Sequence, residues 1–321
     1  MKISAVMALY NTPYNYLEKT IKSILNQTFK DFELIIVDDC SSTEYQEFLT
    51  NFNDTRIKYH KLEKNSGPSH ARNVGINMSN GEYIAICDSD DVYEETRFEN
   101  QINYLNSHPN ISILGGAYKF SNNLNKIIKP IINNEDLKIE LLFNSPFANP
   151  IMMIKKQVIS DYNLYFPQNM NFAEDYYIWV NAMFKNCEMA NIEEVLMTYT
   201  RRKGQLSKQA SEKQKTSLKT IYKLIFEKLN IDFNSQDVEN YYKIATKNYK
   251  NIQKNDLEHF INKIVEANNN QNIFNADKLK NKLEKIKNEF FTTNNRIFKL
   301  KIGSKNLCIY KPFKIIFENR A

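Results

Sequence analysis

Apolar and polar positions alternate in blocks through residues 1–205. Residues 3–9, Ile-Ser-Ala-Val-Met-Ala-Leu, are short and mostly apolar and predict a buried strand. Residues 14–27 place Leu17, Ile21, Ile24 and Leu25 on one helical face, with Pro13 tolerated at the first turn. Residues 32–37, Phe-Glu-Leu-Ile-Ile-Val, read as a strand covered on both faces, as in a parallel sheet. The alternation continues with a helix at 44–52, a strand at 57–62, a helix at 66–78 and a strand at 83–87. A helix at 95–106 and an extended segment at 111–120 follow. Residues 121–172 mix short strands and loops with a helix near 135–143, and a further helix starts at Glu174. This order defines an α/β class.

Beyond residue 205 the period changes. Residues 216–229 carry a stripe of Leu218, Ile221, Tyr222, Ile225 and Leu229. Residues 256–266 carry Leu257, Phe260, Ile261, Ile264 and Val265, and residues 274–291 carry Phe274, Leu279, Leu283, Ile286 and Phe290. The stretches between them read as Asn-rich loops, and residues 296–321 mix basic and apolar groups. Two regions are therefore expected: 1–205, and a basic, mainly helical 206–321.

Charge sharpens that division. The formal charge is +6 overall. Residues 206–321 hold 23 Lys+Arg against 12 Asp+Glu, whereas residues 1–205 hold 20 against 25. An acidic front and a basic back suggest two jobs; the back either contacts an anionic membrane surface or packs its apolar residues on the front region, with its lysines ordinary solvated surface. The aromatic residues of the back fall at helix-core positions, so nucleic acid is not the expected partner. No apolar run reaches the ~18–20 residues that span a bilayer. The first residues lack a long apolar region and a small-residue cleavage site, and Asn11 and Pro13 follow at once, so they read as a strand and not as a leader. Four cysteines without paired spacing point to a reducing cytoplasm.

The chemistry concentrates at strand ends. Asp88-Ser89-Asp90-Asp91 follows Tyr-Ile-Ala-Ile-Cys, and Asp38-Asp39 ends the 32–37 block. Ends of neighbouring parallel strands lie together, so the two clusters converge on one cleft. Packed carboxylates repel unless a cation or several donors sit among them. Mg²⁺, with one or two protein carboxylates and diphosphate oxygens, meets that need; a solvated acidic turn is the plainer alternative. Gly67 and Pro68 set a turn into a helix, about one turn into which Arg72 could reach a phosphate, or pair with Asp38 or Asp39. Glu174 and Asp175 fall in a helix first turn, where acids also act as simple caps. Arg201-Arg202-Lys203 is either a grip on an anion or a solvated loop. No GxGxxG follows the first strand and no P-loop occurs.

Taken in order, Ala8-Leu9-Tyr10-Asn11, Gln27-Thr28, Val37-Asp38-Asp39-Cys40-Ser41, Gly67 with Ala71-Arg72-Asn73, Gly81-Glu82-Tyr83-Ile84 and Asp88-Ser89-Asp90-Asp91 resemble the glycosyltransferase family 2 catalytic domain. The resemblance covers about residues 1–205. It implies a GT-A fold, a Rossmann-like mixed sheet flanked by helices, and inverting transfer from a nucleotide-sugar, UDP-linked in the first instance. It also implies residue roles. Leu9 and Tyr10 would line the base pocket, Asp39 would take the uracil imide N–H and Asp38 would support that turn. Arg72 would contact the nucleotide, and Asp88 would face the ribose. Asp90 would ligate Mn²⁺ or Mg²⁺ with Asp91 as its support, and the Glu174-Asp175 pair would supply the base, Asp175 by choice. Family members usually carry Pro where Ala8 stands and Gly where Cys40 stands. The QxxRW signature of processive members is absent, since Gln205 precedes Leu, Ser and Lys.

The implied partners are a nucleotide-sugar donor and an oligosaccharide or lipid-linked glycan acceptor, as in assembly of lipopolysaccharide, lipooligosaccharide or capsule. The implied location is cytoplasmic, peripheral on the inner face of a bacterial cytoplasmic membrane. The rival classes are a nucleotidyltransferase, disfavoured because the first 60 residues contain no Gly, and a nucleotide-sugar-binding protein without transferase activity.

Overall fold

The computed structural model describes the chain apart from residues 171, 202–210, 250, 295–297, 303–304, 311–313 and 318–321; at residue 211 and from residue 294 onward it describes backbone alone. Two compact units divide the chain, Met1–Lys228 and Leu229–Ala321.

The first unit runs β1 (Ile3–Leu9), α1 (Tyr14–Leu25), β2 (Phe32–Asp38), α2 (Gln46–Thr50), β3 (Ile57–Lys61), α3 (Pro68–Met78) and β4 (Tyr83–Asp88). It continues with β5 (Val92–Tyr93), α4 (Arg97–Ser107), β6 (Ile111–Phe120), β7 (Asn123–Ile128), α5 (Asn134–Glu140), β8 (Met153–Lys155), α6 (Lys156–Tyr162), α7 (Glu174–Phe184), β9 (Glu188–Tyr199) and α8 (Ser211–Lys228). Its strands form one sheet in the order β3-β2-β1-β4-β8-β6-β9-β5, with β7 beside β6. The β1–β2, β2–β3 and β1–β4 pairs are parallel. The short β8 runs antiparallel to both β4 and β6. It follows that β6 runs parallel to β4, and β9 parallel to β6. The carboxyl ends of β1, β2, β4, β6 and β9 thus emerge on one edge, and that edge carries the site.

Sequence accounts for these elements directly. All of β2 is buried because helices cover both faces of the sheet. In α1, Leu17, Ile21 and Ile24 repeat at helical spacing and are fully buried, each stabilising the fold by about 1.5–3 kcal/mol. Glu33, the acid near the start of β2, is buried yet fully engaged. It accepts from Ser4 Oγ at 2.6 Å and Asn80 N at 2.8 Å and pairs with Lys58. Burial alone would raise its pKa; Lys58 and these donors win and hold it at about 2. Helix α3 lies close on the sheet, and a Cβ at Gly75 would stand 2.5 Å from Val6 Cγ1.

The second unit contains α9 (Ser235–Ala245), α10 (Lys254–Gln271), α11 (Ala276–Asn294) and a three-stranded antiparallel sheet of β10 (Phe298–Ile302), β11 (Lys305–Tyr310) and β12 (Lys314–Phe317). Two expectations are corrected here. Residues 235–245, expected as loop, form a helix that buries Val238, Tyr241 and Ile244 and opens with an Asn234–Asp237 capping box. The tail, read only as alternating basic and apolar groups, forms strands, the structure that alternation favours. Val265 also leaves its expected stripe and is exposed. The Asn excess acquires a structural role. Asn11, Asn53, Asn163, Asn186, Asn230, Asn251 and Asn272 take the left-handed backbone positions that a Gly-poor chain must fill by other means.

Candidate active site

Leu9 at the end of β1 lies opposite Asp38, and Ala8 opposite Asp88. The two acidic clusters therefore flank one strand end, as converging strand ends require. Each carboxylate has a different employment. Asp38 is fully buried, accepting from Ser41 N at 2.8 Å and from the Tyr59 hydroxyl at 2.7 Å, so it holds the β2 turn. Asp39 accepts from Ser66 N at 2.7 Å and Gly67 N at 2.8 Å, which ties the end of β2 to the amino end of α3. Gly67, at φ +88°, makes that approach possible. Asp39 N donates to the Leu9 carbonyl at 2.8 Å. Leu9, expected beside a nucleotide base, is buried in the core, so it offers the cleft only backbone; Tyr10 beside it is half exposed.

Arg72 organises the cleft. It is buried on α3, with Nη2 donating to Asp88 Oδ1 at 3.1 Å and Nη1 to Glu174 Oε1 at 2.9 Å. Its guanidinium lies over the Phe166 ring. Burial works against its charge, but Asp88 and Glu174 more than offset this and raise its pKa. The pairing with Asp38 or Asp39 left open from sequence is not the one formed, because those carboxylates are taken by backbone and tyrosine donors. Glu174 and Asp175 open α7, whose preceding residue, Ala173, is left-handed at φ 59°. Arg72 thus bridges the acidic turn after β4 to the first turn of α7 across 102 residues of chain.

Asp175 accepts from Tyr176 N, and burial, then the neighbouring Glu174, pushes its pKa up to about 6. Asp91 is buried. Its Oδ1 accepts from Thr200 N at 2.8 Å, while Oδ2 has no partner. Burial, then Asp88, pushes Asp91 up to about 8, and its bond to Thr200 braces the turn against the end of β9. Asp90 is half-buried beside it. Asp88 and Asp90 offer the hard oxygen donors that Mg²⁺ or Mn²⁺ takes, one or two at a time, with phosphate and water completing the shell. Among the described residues no three acids, His or Cys form a ready cage.

Several contributors were not singled out from the sequence: Tyr59, Phe166, Thr200 and above all Arg97. Arg97 is fully buried behind β4. It donates to the Ile86 carbonyl at 3.0 Å and lies over the Tyr93 ring, whose hydroxyl accepts from Asp88 N. Its only sequence signal is an Arg four residues before Gln101 on an amphipathic helix, and the two side chains do bond, at 3.2 Å. Of the basic loop, Arg201 stacks on the Phe120 ring at 3.9 Å; Arg202 and Lys203 lie outside the described residues.

A mixed sheet with acidic turns at its carboxyl edge, one of them joined by Arg72 to the first turn of α7, is an arrangement suited to a phosphorylated ligand. Comparison with known proteins agrees. Residues 4–163 match the family model "Glycosyl transferase family 2". An uncharacterised glycosyltransferase of Methanocaldococcus jannaschii is 32% identical over 61% of this chain and 70% of its own. One from Rickettsia conorii is 34% identical over 58% of this chain, which spans only 30% of that longer protein. The Escherichia coli UDP-Glc:alpha-D-GlcNAc-diphosphoundecaprenol beta-1,3-glucosyltransferase WfgD is 29% identical over 57% of this chain and 70% of its own. Staphylococcus aureus TarS 1-349, solved with UDP-GlcNAc, shares the fold at TM-score 0.64 over 99% of both chains with 18% identity. The mannosyltransferase PcManGT of Pyrobaculum calidifontis, solved with GDP-Man and Mn²⁺, does so at 0.57 over 83% of this chain and 74% of its own with 13% identity. The chain belongs to glycosyltransferase family 2: it is a glycosyltransferase with a GT-A fold.

Proposed function

We propose that this chain is an inverting, metal-dependent, non-processive enzyme that moves one hexose or N-acetylhexosamine from a UDP-sugar to a hydroxyl of a bacterial surface glycan. The observation that carries the reading is the Asp88–Arg72–Glu174 bridge, which ties the acidic turn to the first turn of α7, the turn that also carries Asp175. A UDP-linked donor is supported by the names of WfgD and of the TarS complex, and a cation by Mn²⁺ in PcManGT. WfgD also supports a lipid-linked diphosphate acceptor such as those of lipopolysaccharide or capsule assembly.

In this reading residues 1–205 perform the chemistry. Asp38 and Asp39 shape the nucleotide end of the cleft, where Tyr10 is free to stack on a base. Asp90, supported by Asp91, would hold the cation, whose contribution is to neutralise the diphosphate, and Asp88 would face the ribose. Arg72 adds a fixed positive charge beside the departing diphosphate. Asp175, with a pKa of about 6, is basic enough at neutral pH to accept the acceptor hydroxyl's proton. The O–H electrons become the new bond to the anomeric carbon, the sugar–diphosphate bond breaks on the opposite face, and configuration inverts. Residues 206–321 serve as a basic region at the inner face of the membrane. Among the described residues no helix is long and apolar enough to cross it. The test is the anomeric configuration of the product by NMR: an α-linked donor should give a β-linked product, and an α-linked product would end the single-displacement reading.

A further inference from the structure

Most exposed apolar side chains of the described residues stand singly, as is ordinary for a protein surface. The β6–β7 hairpin and the segment after it differ. Leu124 is 57% exposed, Ile127 48% and Ile132 36%. Residues 121–134 hold Lys126 and Lys129, both exposed, and no acid. Strand β7 pairs only with β6 among the described strands, and the register slips between Lys119 and Phe120, leaving Leu124, Asn125 and Lys126 outside the ladder. A bulged edge strand bearing lysine is poorly suited to pairing with another strand. Leu124 and Ile127, exposed beside Lys126 and Lys129 in a segment that holds no acid before Glu135, instead complement a surface whose apolar interior lies under anionic headgroups.

Its position matters as much as its chemistry. Because β6 runs parallel to β4, the hairpin turn at residues 121–122 leaves the sheet on the edge that carries Asp88. Arg201 N donates to Ser121 Oγ at 3.1 Å, and the preceding residue, Thr200, donates to Asp91. Two residues of chain therefore separate the hairpin turn from the acidic turn.

We propose that the β6–β7 hairpin is the face by which this protein rests on an anionic lipid surface, with Leu124 and Ile127 entering the apolar boundary and Lys126 and Lys129 meeting lipid phosphates. A lipid-linked acceptor is then delivered to the acidic edge from the membrane plane. This last step rests on the lipid-linked acceptor proposed above; the membrane contact itself does not. It also assigns the contact to the catalytic unit, independently of the basic tail.

The test is flotation of the full chain with phosphatidylglycerol-containing vesicles and with phosphatidylcholine vesicles, without donor. Wild type should bind the anionic vesicles at least about tenfold better. L124S/I127S and K126E/K129E should each weaken that binding about tenfold or more, with thermal melts and turnover on a soluble acceptor unchanged. In Leu124→Trp, anionic vesicles should shift the added tryptophan emission to the blue. Unchanged vesicle binding in both double variants, or no shift in L124W, overturns the proposal. So does a wild-type dimer that L124S/I127S converts to monomer, since a second copy would then cover the patch. Hairpin-dependent vesicle binding without turnover of any lipid-linked acceptor upholds the membrane face and removes only the acceptor reading.

Discussion

Replacing Asp175 by Asn should cost activity and add stability, and both effects follow from one environment. The Asp175 carboxyl sits at about 6 in the fold against an ordinary 3.8, because burial and Glu174 disfavour its charge. The protonated form is the one the fold prefers. The group therefore costs nothing below about pH 4, and its cost grows as pH rises and is complete above about pH 6. The full gap corresponds to about 3 kcal/mol, which partial solvent access reduces to about 1–3. Asn keeps the shape and an oxygen for Tyr176 N but carries no charge. At pH 8, D175N should be more stable by about 1–3 kcal/mol, or roughly 2–4 °C in Tm per kcal/mol, and near pH 4 the two should melt together. Trp179, the single tryptophan, is fully buried one helical turn from Asp175, so its fluorescence reports on the right helix in urea titrations. Turnover should fall by about 10²–10⁴-fold with donor affinity little changed. E174Q should be the milder change in turnover, and wild-type kcat should rise with pH through about 6. A D175N enzyme that turns over normally, or that is no more stable than wild type at pH 8, refutes the reasoning.

Three further outcomes follow from the same geometry. Arg72→Met leaves Asp88 and Glu174 without their shared cation and should cost about 3–5 kcal/mol in urea melts; adding E174Q should recover part, and strictly additive losses would show that the bridge is not a unit. Asp90→Asn should remove the effect of Mn²⁺ on UDP binding in calorimetric titrations while leaving the fold intact, and a titration unchanged by both metal and substitution removes Asp90 from the metal site. Glu33→Gln should cost about 3 kcal/mol at neutral pH. Because its carboxyl is held at about 2 against an ordinary 4.5, that stability is present above pH 4.5 and is lost as pH falls toward 2, so the gap to the variant should close in acid urea melts.

The parts of the fold legible in sequence were those whose pattern was purely local. The apolar blocks of β1, β2 and β4 and the single-face helix α1 fall where periodicity puts them, since burial on both faces or on one leaves distinct patterns. The convergence of Asp38 and Asp88 on the end of β1 was also legible, because parallel pairing follows from the alternation of strands and helices. What escaped depends on long-range pairing. Nothing near Arg72 in sequence announces Glu174. Nothing near Asp91 announces Thr200, which reaches it only because β9 returns beside β5. Helix α9 escaped for a different reason: its Asn and Ser residues looked like loop, although Asn234 with Asp237 is a start signal.

The central claim is transfer from a nucleotide-sugar through Asp175 with the help of a cation. Its most direct test is release of nucleoside diphosphate when the full chain is mixed with each common nucleotide-sugar, Mn²⁺ or Mg²⁺ and a lipid-linked glycan acceptor. The account predicts rapid release from a UDP-sugar that requires acceptor, stops on chelation and falls about 10²–10⁴-fold in D175N. Release that is indifferent to acceptor, chelator and D175N, or none from any donor, would contradict it.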